Sequence, residues 1–185
     1  MELWDAYDKD GNLTGDTLVR GGEVADGLYH IVVGILVQHV DGTYLLMHRD
    51  PRKETFPDVY EASAGGSALK GEDALQAARR ELLEETGVTA GELTPLYEEI
   101  SHKGHCLYRG FLCVTDCDKQ SITLQEGETA GFLWADRDEV ERLTTKTTPA
   151  RCVLQTGVCA YLGIGGKGIG EESKLLLPPK YECRY

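Results

Sequence analysis

Apolar positions recur along this chain with two different periods, and each predicts a different element. The run "LYHIVVGILVQHV", Leu28 to Val40, is long and rich in β-branched residues, which predicts a strand in the core of a sheet. An Asp-Gly turn follows it, and "DGTYLLMHR" predicts the returning strand. Upstream, "WDAYDKDGNLTGDTLVR" reads as strand, Asp10-Gly11 turn and strand, a hairpin-like extension over residues 1–27. From Glu72 to Thr86 the period changes: Leu75, Ala78 and Leu82 recur at spacings of three and four, predicting a helix with these three as its core stripe and Gly87 as its stop. Further on, "LTPLYEEISHKGHCLYRGFLCV" predicts one or two strands and "GFLWAD" another. "RDEVERL" and "PARCVLQTGVCAYL" predict helices, the second starting near Pro149. The Gly- and Pro-rich stretch 165–185 predicts a loosely packed tail. No fixed-period repeat is present. Strands mixed with a few helices indicate one α/β domain over 1–185, a mixed sandwich in place of a doubly wound sheet.

Composition narrows the function classes. A formal charge of −12 over 185 residues argues against a nucleic-acid-binding surface. A small phosphorylated substrate remains compatible, provided that a divalent cation and a few local basic groups offset the general field. No apolar run approaches the roughly 20 residues that span a bilayer, and "MELWDAYDKD" lacks the basic and apolar regions of an export signal. A soluble, cytoplasmic protein is expected. The cysteines at 106, 113, 117, 152, 159 and 183 include no CxxC, so reduced structural thiols are expected, with Cys113 and Cys117 a weak pair.

The chemistry concentrates in "ARRELLEETGV", Ala78 to Val88. Glu81, Glu84 and Glu85 crowd the C-terminal end of the predicted helix, where spacings of three and four residues bring like charges together. The helix dipole disfavours acids at that end. Arg80 to Glu84 is the one i,i+4 partnership, in the less favourable orientation. The plain reading is an acidic solvated helix end. A sharper one is a site for hard divalent cations, Mg²⁺ or Mn²⁺, which bind clustered carboxylates, waters and phosphate oxygens and would relieve the repulsion. Ala74 and Ala77, placed on the glutamate side of the wheel, would leave room above the helix for ions and substrate.

The wider stretch "GSALKGEDALQAARRELLEETGV" resembles the signature of the Nudix hydrolases, with Gly66, Glu72, Arg80, Glu81, Leu82, Glu84, Glu85, Gly87 and Val88 at its defined positions. The resemblance implies an α/β/α sandwich with a mixed sheet, and hydrolysis of a nucleoside diphosphate linked to another group. It implies that Glu81, Glu84 and Glu85 are metal ligands and catalytic, that Glu72 and Arg80 form a supporting interaction, and that Gly66 and Gly87 supply backbone turns at the helix ends. A further glutamate ahead of a late strand serves as general base in many members; Glu126 and Glu128 in "LQEGETAGFLW" are the candidates here.

Outside the signature, "WDAYDKDGNLTG", "GLYHIVVGILV" and "YLLMHRDPRKETFPDVYEASAGG" resemble the branch containing isopentenyl diphosphate isomerase. That resemblance makes Arg49 and Lys53 candidates for diphosphate contacts. The isomerase places a catalytic Cys before the signature glycine and a metal-binding His after it, whereas this chain has Gly65 and Ser67. Both departures favour hydrolysis over isomerisation. His30 matches a metal-binding His of the isomerase but, without its partner, is expected to be a core or edge histidine. Isomerase-like activity and a non-catalytic diphosphate-ligand sensor are the alternatives. The expected partner is a small diphosphate substrate, and the N-terminal hairpin and the tail are, by position, surfaces for a possible homodimer.

Overall fold

The computed structural model describes residues 1–145, 151–165 and 172–176. In chain order the elements are β1 (Leu3–Tyr7), β2 (Leu13–Val19), β3 (His30–His39), β4 (Tyr44–Arg49), β5 (Tyr60–Ala62), β6 (Ala64–Ser67), α1 (Ala74–Thr86), β7 (Leu93–Ser101), β8 (Cys106–Thr115), β9 (Thr129–Ala135), α2 (Arg137–Thr144), β10 (Cys152–Val153), α3 (Thr156–Leu162) and β11 (Glu172–Leu175). β1 and β2 form a separate antiparallel hairpin, and the other nine strands form one mixed sheet.

β3 is the axis of that sheet. Its alternation sends Ile31, Val33, Ile35 and Val37 into a core that includes Ala77, Ala78 and Leu82 of α1, while Leu36 enters a second core with Val140 and Leu143 of α2 and Val158 and Leu162 of α3. Helices therefore cover both faces, giving the expected α/β/α sandwich. The turn between β3 and β4 forms as expected, yet the two strands pair only at Gln38 and Tyr44. Beyond it they part, because their remaining hydrogen-bonding edges are taken by other strands. β3 runs parallel to β8 from His30 with Cys106 to His39 with Thr115, while β4 takes β5 and β9. The split lets β6 pair with β3, with Gly65 opposite Gly34 and Gly66 opposite Val33.

α1 begins later than the hydrophobic period suggests, because Asp73 caps it: its side chain accepts from Gln76 N, and the Gln76 side chain accepts from Asp73 N. Its buried face differs from the expected one. Leu75 remains 41% exposed, whereas Ala77, Ala78 and Leu82 are fully buried. Small alanines allow the helix to lie close to the sheet, and burial of Leu82 stabilises by about 1.5–3 kcal/mol. At the other end Gly87 adopts φ 74° and donates to Leu83 O at 2.9 Å, as its stop role requires.

The second predicted helix is shorter than expected. Cys152 and Val153 pair in parallel with Tyr60 and Glu61, which holds the chain extended until Gln155, so α3 starts at Thr156. Pro149 and Cys183 lie outside the described residues, as does most of 165–185. The described part of that tail is ordered against β7: β11 runs antiparallel to it, with Leu175 opposite Tyr97. Cys106, Cys113, Cys117, Cys152 and Cys159 are all free thiols. Among the described residues no helix is long and apolar enough to cross a membrane.

Candidate active site

The C-terminal half of α1 faces the β6 strand, and Arg80 organises the acids between them. Its Nε and Nη2 grip both carboxylate oxygens of Glu72 at 2.8 and 2.9 Å, and Nη2 also donates to Ser67 O at 3.1 Å. This bidentate pair fastens the loop before α1 to the helix. Nη1 reaches Glu81 at 2.8 Å and Glu84 at 3.3 Å. The Glu81 contact was not expected, since adjacent residues on a helix do not face each other, but the length of the arginine stem bridges the gap. The bond from Arg80 lowers the Glu72 pKa, and Glu72 in turn raises that of Arg80.

Glu81 and Glu85 do not flank the core stripe, as the sequence suggests; they continue it toward the sheet. The Glu81 side chain is only 13% exposed, and burial is the main reason its pKa rises. Glu85 Oε2 accepts from Gly65 N at 3.0 Å. Burial pushes the Glu85 pKa up to about 8, against that hydrogen bond and reinforced by Glu61, Glu81 and Glu128. Glu84 is the most open of the three, its side chain 48% exposed.

Two glycines make this approach possible, for a reason different from the expected turn. Gly66 lies within β6, and a methyl there would sit 2.5 Å from Glu81 Cδ. A methyl on Gly65 would sit 2.6 Å from Val33 O. The two residues are bare because a side chain and a backbone, respectively, already occupy the space.

These groups open onto a cavity of about 540 Å³ lined by Gly65, Gly66, Ser67, Arg80, Glu81, Glu84, Glu85, Gln125 and Glu128, together with Glu2, Trp4 and Arg20 from the N-terminal hairpin. The hairpin is held over the signature loop by Lys70 N donating to Leu3 O at 2.8 Å and Gly71 N donating to Asp5 Oδ2 at 2.7 Å. Arg20 and Arg80 are the cations in the lining. The hairpin's part in the site is not legible in the sequence, because no local pattern records where a hairpin docks.

Of the two candidate bases, Glu128 lines the cavity and Glu126 does not. Glu128 is ion-paired with Lys53. Arg49 lies elsewhere, in the lining of a second cavity, with its guanidinium committed to Glu61 and to the carbonyls of Thr55 and Phe56. His30 is 7% exposed and stacks on Trp4 with ring centroids 4.1 Å apart; its Nδ1 has no hydrogen-bond partner, and burial lowers its pKa to about 4. It is a neutral core residue.

The donors fit a hard divalent cation. Burial first, and the neighbouring carboxylates after it, disfavour the charged forms of Glu81 and Glu85, and a cation among them would offset both. Among the described residues no three His, Cys, Asp or Glu side chains are already gathered into a cage. Mg²⁺ does not require one, because it uses one or two carboxylates and completes its shell with water and phosphate oxygen.

A model of the NUDIX domain family matches residues 28–156. The chain is similar to the Nudix hydrolase lmo0368 of Listeria monocytogenes, 34% identical over 77% of this chain and 85% of that protein. It is 28% identical to the Nudix hydrolase YfcD of Escherichia coli K12 over 68% of this chain and 69% of the relative. In fold it is similar to DR0079 of Deinococcus radiodurans, with a TM-score of 0.64, 18% identity, and 81% of this chain and 93% of that one covered. The NUDIX domain of Shewanella oneidensis NrtR, solved with ADP ribose, gives a TM-score of 0.52 at 14% identity, covering 66% and 80%.

Proposed function

The chain belongs to the Nudix family and is a hydrolase of pyrophosphate bonds; on that premise we propose that it is a Mg²⁺-dependent enzyme cleaving a small organic or nucleoside diphosphate derivative. The observation that carries this reading is the convergence of Glu81, Glu84, Glu85 and Glu128 with Arg20 and Arg80 on one cavity. Acids alone would repel a diphosphate and bases alone would not hold a cation; together they suit a metal diphosphate.

In this reading Glu81, Glu84 and Glu85 hold the cation, which when bound supplies charge neutralisation on the phosphoryl oxygens and lowers the pKa of water. Glu128 takes the proton from the attacking water, whose oxygen bonds to phosphorus as the bridging P–O bond breaks and the second phosphate departs. Lys53 holds the Glu128 carboxylate in place and is our candidate for a phosphate contact, together with Arg20 at the cavity wall. Glu72 and Arg80 keep the loop and helix in register, and Gly66 lets Glu81 lie against β6.

Kinship with the isomerase branch is our reading of the first half of the sequence. The geometry at Gly65 supports hydrolysis within that branch, because Val33 O leaves no room for the side chain that isomerisation needs there. A pure sensor would not require the mutually repelling carboxylates. The test is turnover of a panel of nucleoside diphosphate derivatives and prenyl diphosphates with Mg²⁺ in ¹⁸O-water. We expect cleavage with a single ¹⁸O in one phosphate product. Conversion of isopentenyl to dimethylallyl diphosphate, or ligand stabilisation without turnover of any compound, would overturn it.

A further inference from the structure

A second cavity, of about 310 Å³, shares the Gly65–Gly66 backbone with the carboxylate cavity. Val32, Val59, Phe56 and Tyr108 supply apolar lining, and Glu61 and Gln155 supply polar groups. The loop that brings Phe56 there is strained. Phe56 has φ 49° and Asp58 φ 55°, left-handed conformations that a bulky aromatic rarely adopts. Phe56 is also 48% exposed, so core packing does not explain the conformation.

What holds it is the end of β4. Arg49 donates from Nε to Phe56 O at 3.2 Å, from Nη2 to Thr55 O at 3.2 Å and from Nη1 to Glu61 at 2.8 Å. The neighbouring His48 Nε2 lies 2.8 Å from Asp58 Oδ1. Two consecutive residues therefore pin both sides of the strained segment, and strain maintained in this way is characteristic of functional loops.

We propose that Phe56 is a specificity-determining residue, one wall of a subsite for the nitrogen-heteroaromatic, nucleoside end of the diphosphate substrate, and that Arg49 is the positioning residue that holds it there and not a phosphate ligand. This rests on the pyrophosphohydrolase reading of the adjoining cavity. An aliphatic chain would be served by the valines alone and would lay hydrocarbon against the Glu61 carboxylate and the Gln155 amide of the same lining. A flat ring with polar edges stacks on the aromatic wall and reaches those groups.

Binding separates the possibilities without requiring turnover. Titration calorimetry of the full chain with Mg²⁺ would compare α,β-methylene-ADP with methylenediphosphonate, which lacks the nucleoside. The wild type is expected to prefer the nucleotide by at least tenfold, about 1.4 kcal/mol, toward the low end for base–aromatic stacking. Phe56→Gly should lose about tenfold for the nucleotide and nothing for methylenediphosphonate. Its unfolding midpoint should hold, relief at φ 49° offsetting glycine's greater freedom when unfolded. Phe56→Trp should retain the preference. Arg49→Lys keeps the charge but not the three-way fork, and should behave as Phe56→Gly does. No preference in the wild type, equal losses for both ligands in Phe56→Gly, or tighter binding of a prenyl diphosphate analogue would overturn the subsite. Loss of methylenediphosphonate binding in Arg49→Lys would make Arg49 a phosphate ligand after all. Failure of the adjoining site would look different: methylenediphosphonate binding indifferent to Mg²⁺ and to Glu85→Gln.

Discussion

Gly65 and Gly66 are neighbours in one strand, yet alanine should act through a side chain at Gly66 and through the backbone at Gly65. In Gly66→Ala the new methyl meets the far end of a side chain, 2.5 Å from Glu81 Cδ. Glu81 can swing away, at the loss of its 2.8 Å bond from Arg80. A hydrogen bond to a charged group contributes about 1.5–3 kcal/mol, and alanine in a strand recovers about 0.5–1 kcal/mol of backbone entropy relative to glycine. The net cost should be about 1–2 kcal/mol, so the protein folds. Activity should suffer more, because a ligand displaced by about 1 Å from a reacting centre costs on the order of 10²-fold. In Gly65→Ala the methyl meets Val33 O at 2.6 Å, a backbone atom in the same ladder. Nothing flexible can yield, so stability should fall by about 1–3 kcal/mol, the usual cost of overpacking. Urea unfolding and Mg²⁺-supported turnover, measured on both variants, give the comparison. A double variant adds an internal check: Glu81→Asp shortens the side chain and should recover part of the Gly66→Ala stability loss. Full activity in Gly66→Ala, or an unaltered penalty in the Glu81→Asp background, would refute the claim that this glycine exists to make room for Glu81.

Three further outcomes follow from the geometry. Glu128→Gln should reduce kcat by about 10²-fold or more, the range of general base catalysis, while Glu126→Gln, outside the cavity, should leave it near wild type; steady-state kinetics of the two decide which acid acts. Asp73→Ala removes the cap on α1 and should cost about 1 kcal/mol in urea unfolding with specific activity retained. His30, lowered from 6.5 to about 4 by burial, binds its proton more readily when unfolded. Its contribution, on the order of 3 kcal/mol, is complete above pH 6.5 and is lost as pH falls toward 4; unfolding of His30→Phe between those values should show a flatter pH dependence than the wild type, and parallel curves would contradict it.

The reaction class was legible because the signature residues lie in one continuous stretch, and the Gly87 stop is a local feature that the sequence shows directly; the Asp73 cap is equally local, but the hydrophobic period alone puts the helix start at Glu72. The faces of α1 were less so. A wheel drawn on Leu75, Ala78 and Leu82 assumes that large residues face inward, whereas the sheet draws in Ala77 and leaves Leu75 outside. The Arg80 to Glu81 bond escaped the spacing rules because it depends on a long stem folding back beside Glu72. Glu2, Trp4 and Arg20 reach the cavity from residues read as an extension, and the cost of burying Glu85 shows only once β6 is seen to lie against it. The close packing behind Gly65 and Gly66 is likewise tertiary, since the sequence records that a side chain is missing there but not which atom fills its place.

On the proposed reading, hydrolysis depends on a cation held by the α1 carboxylates Glu81, Glu84 and Glu85. Mg²⁺ affinity by calorimetry, paired with turnover of the substrate found in the panel, tests it in the wild type, Glu84→Gln and Glu85→Gln. Each variant is predicted to bind Mg²⁺ at least tenfold more weakly and to turn over on the order of 10²-fold more slowly, as loss of a charge-stabilising group in a reacting site should do, while unfolding in urea stays cooperative. Unchanged Mg²⁺ affinity and undiminished turnover in Glu84→Gln and Glu85→Gln would contradict it.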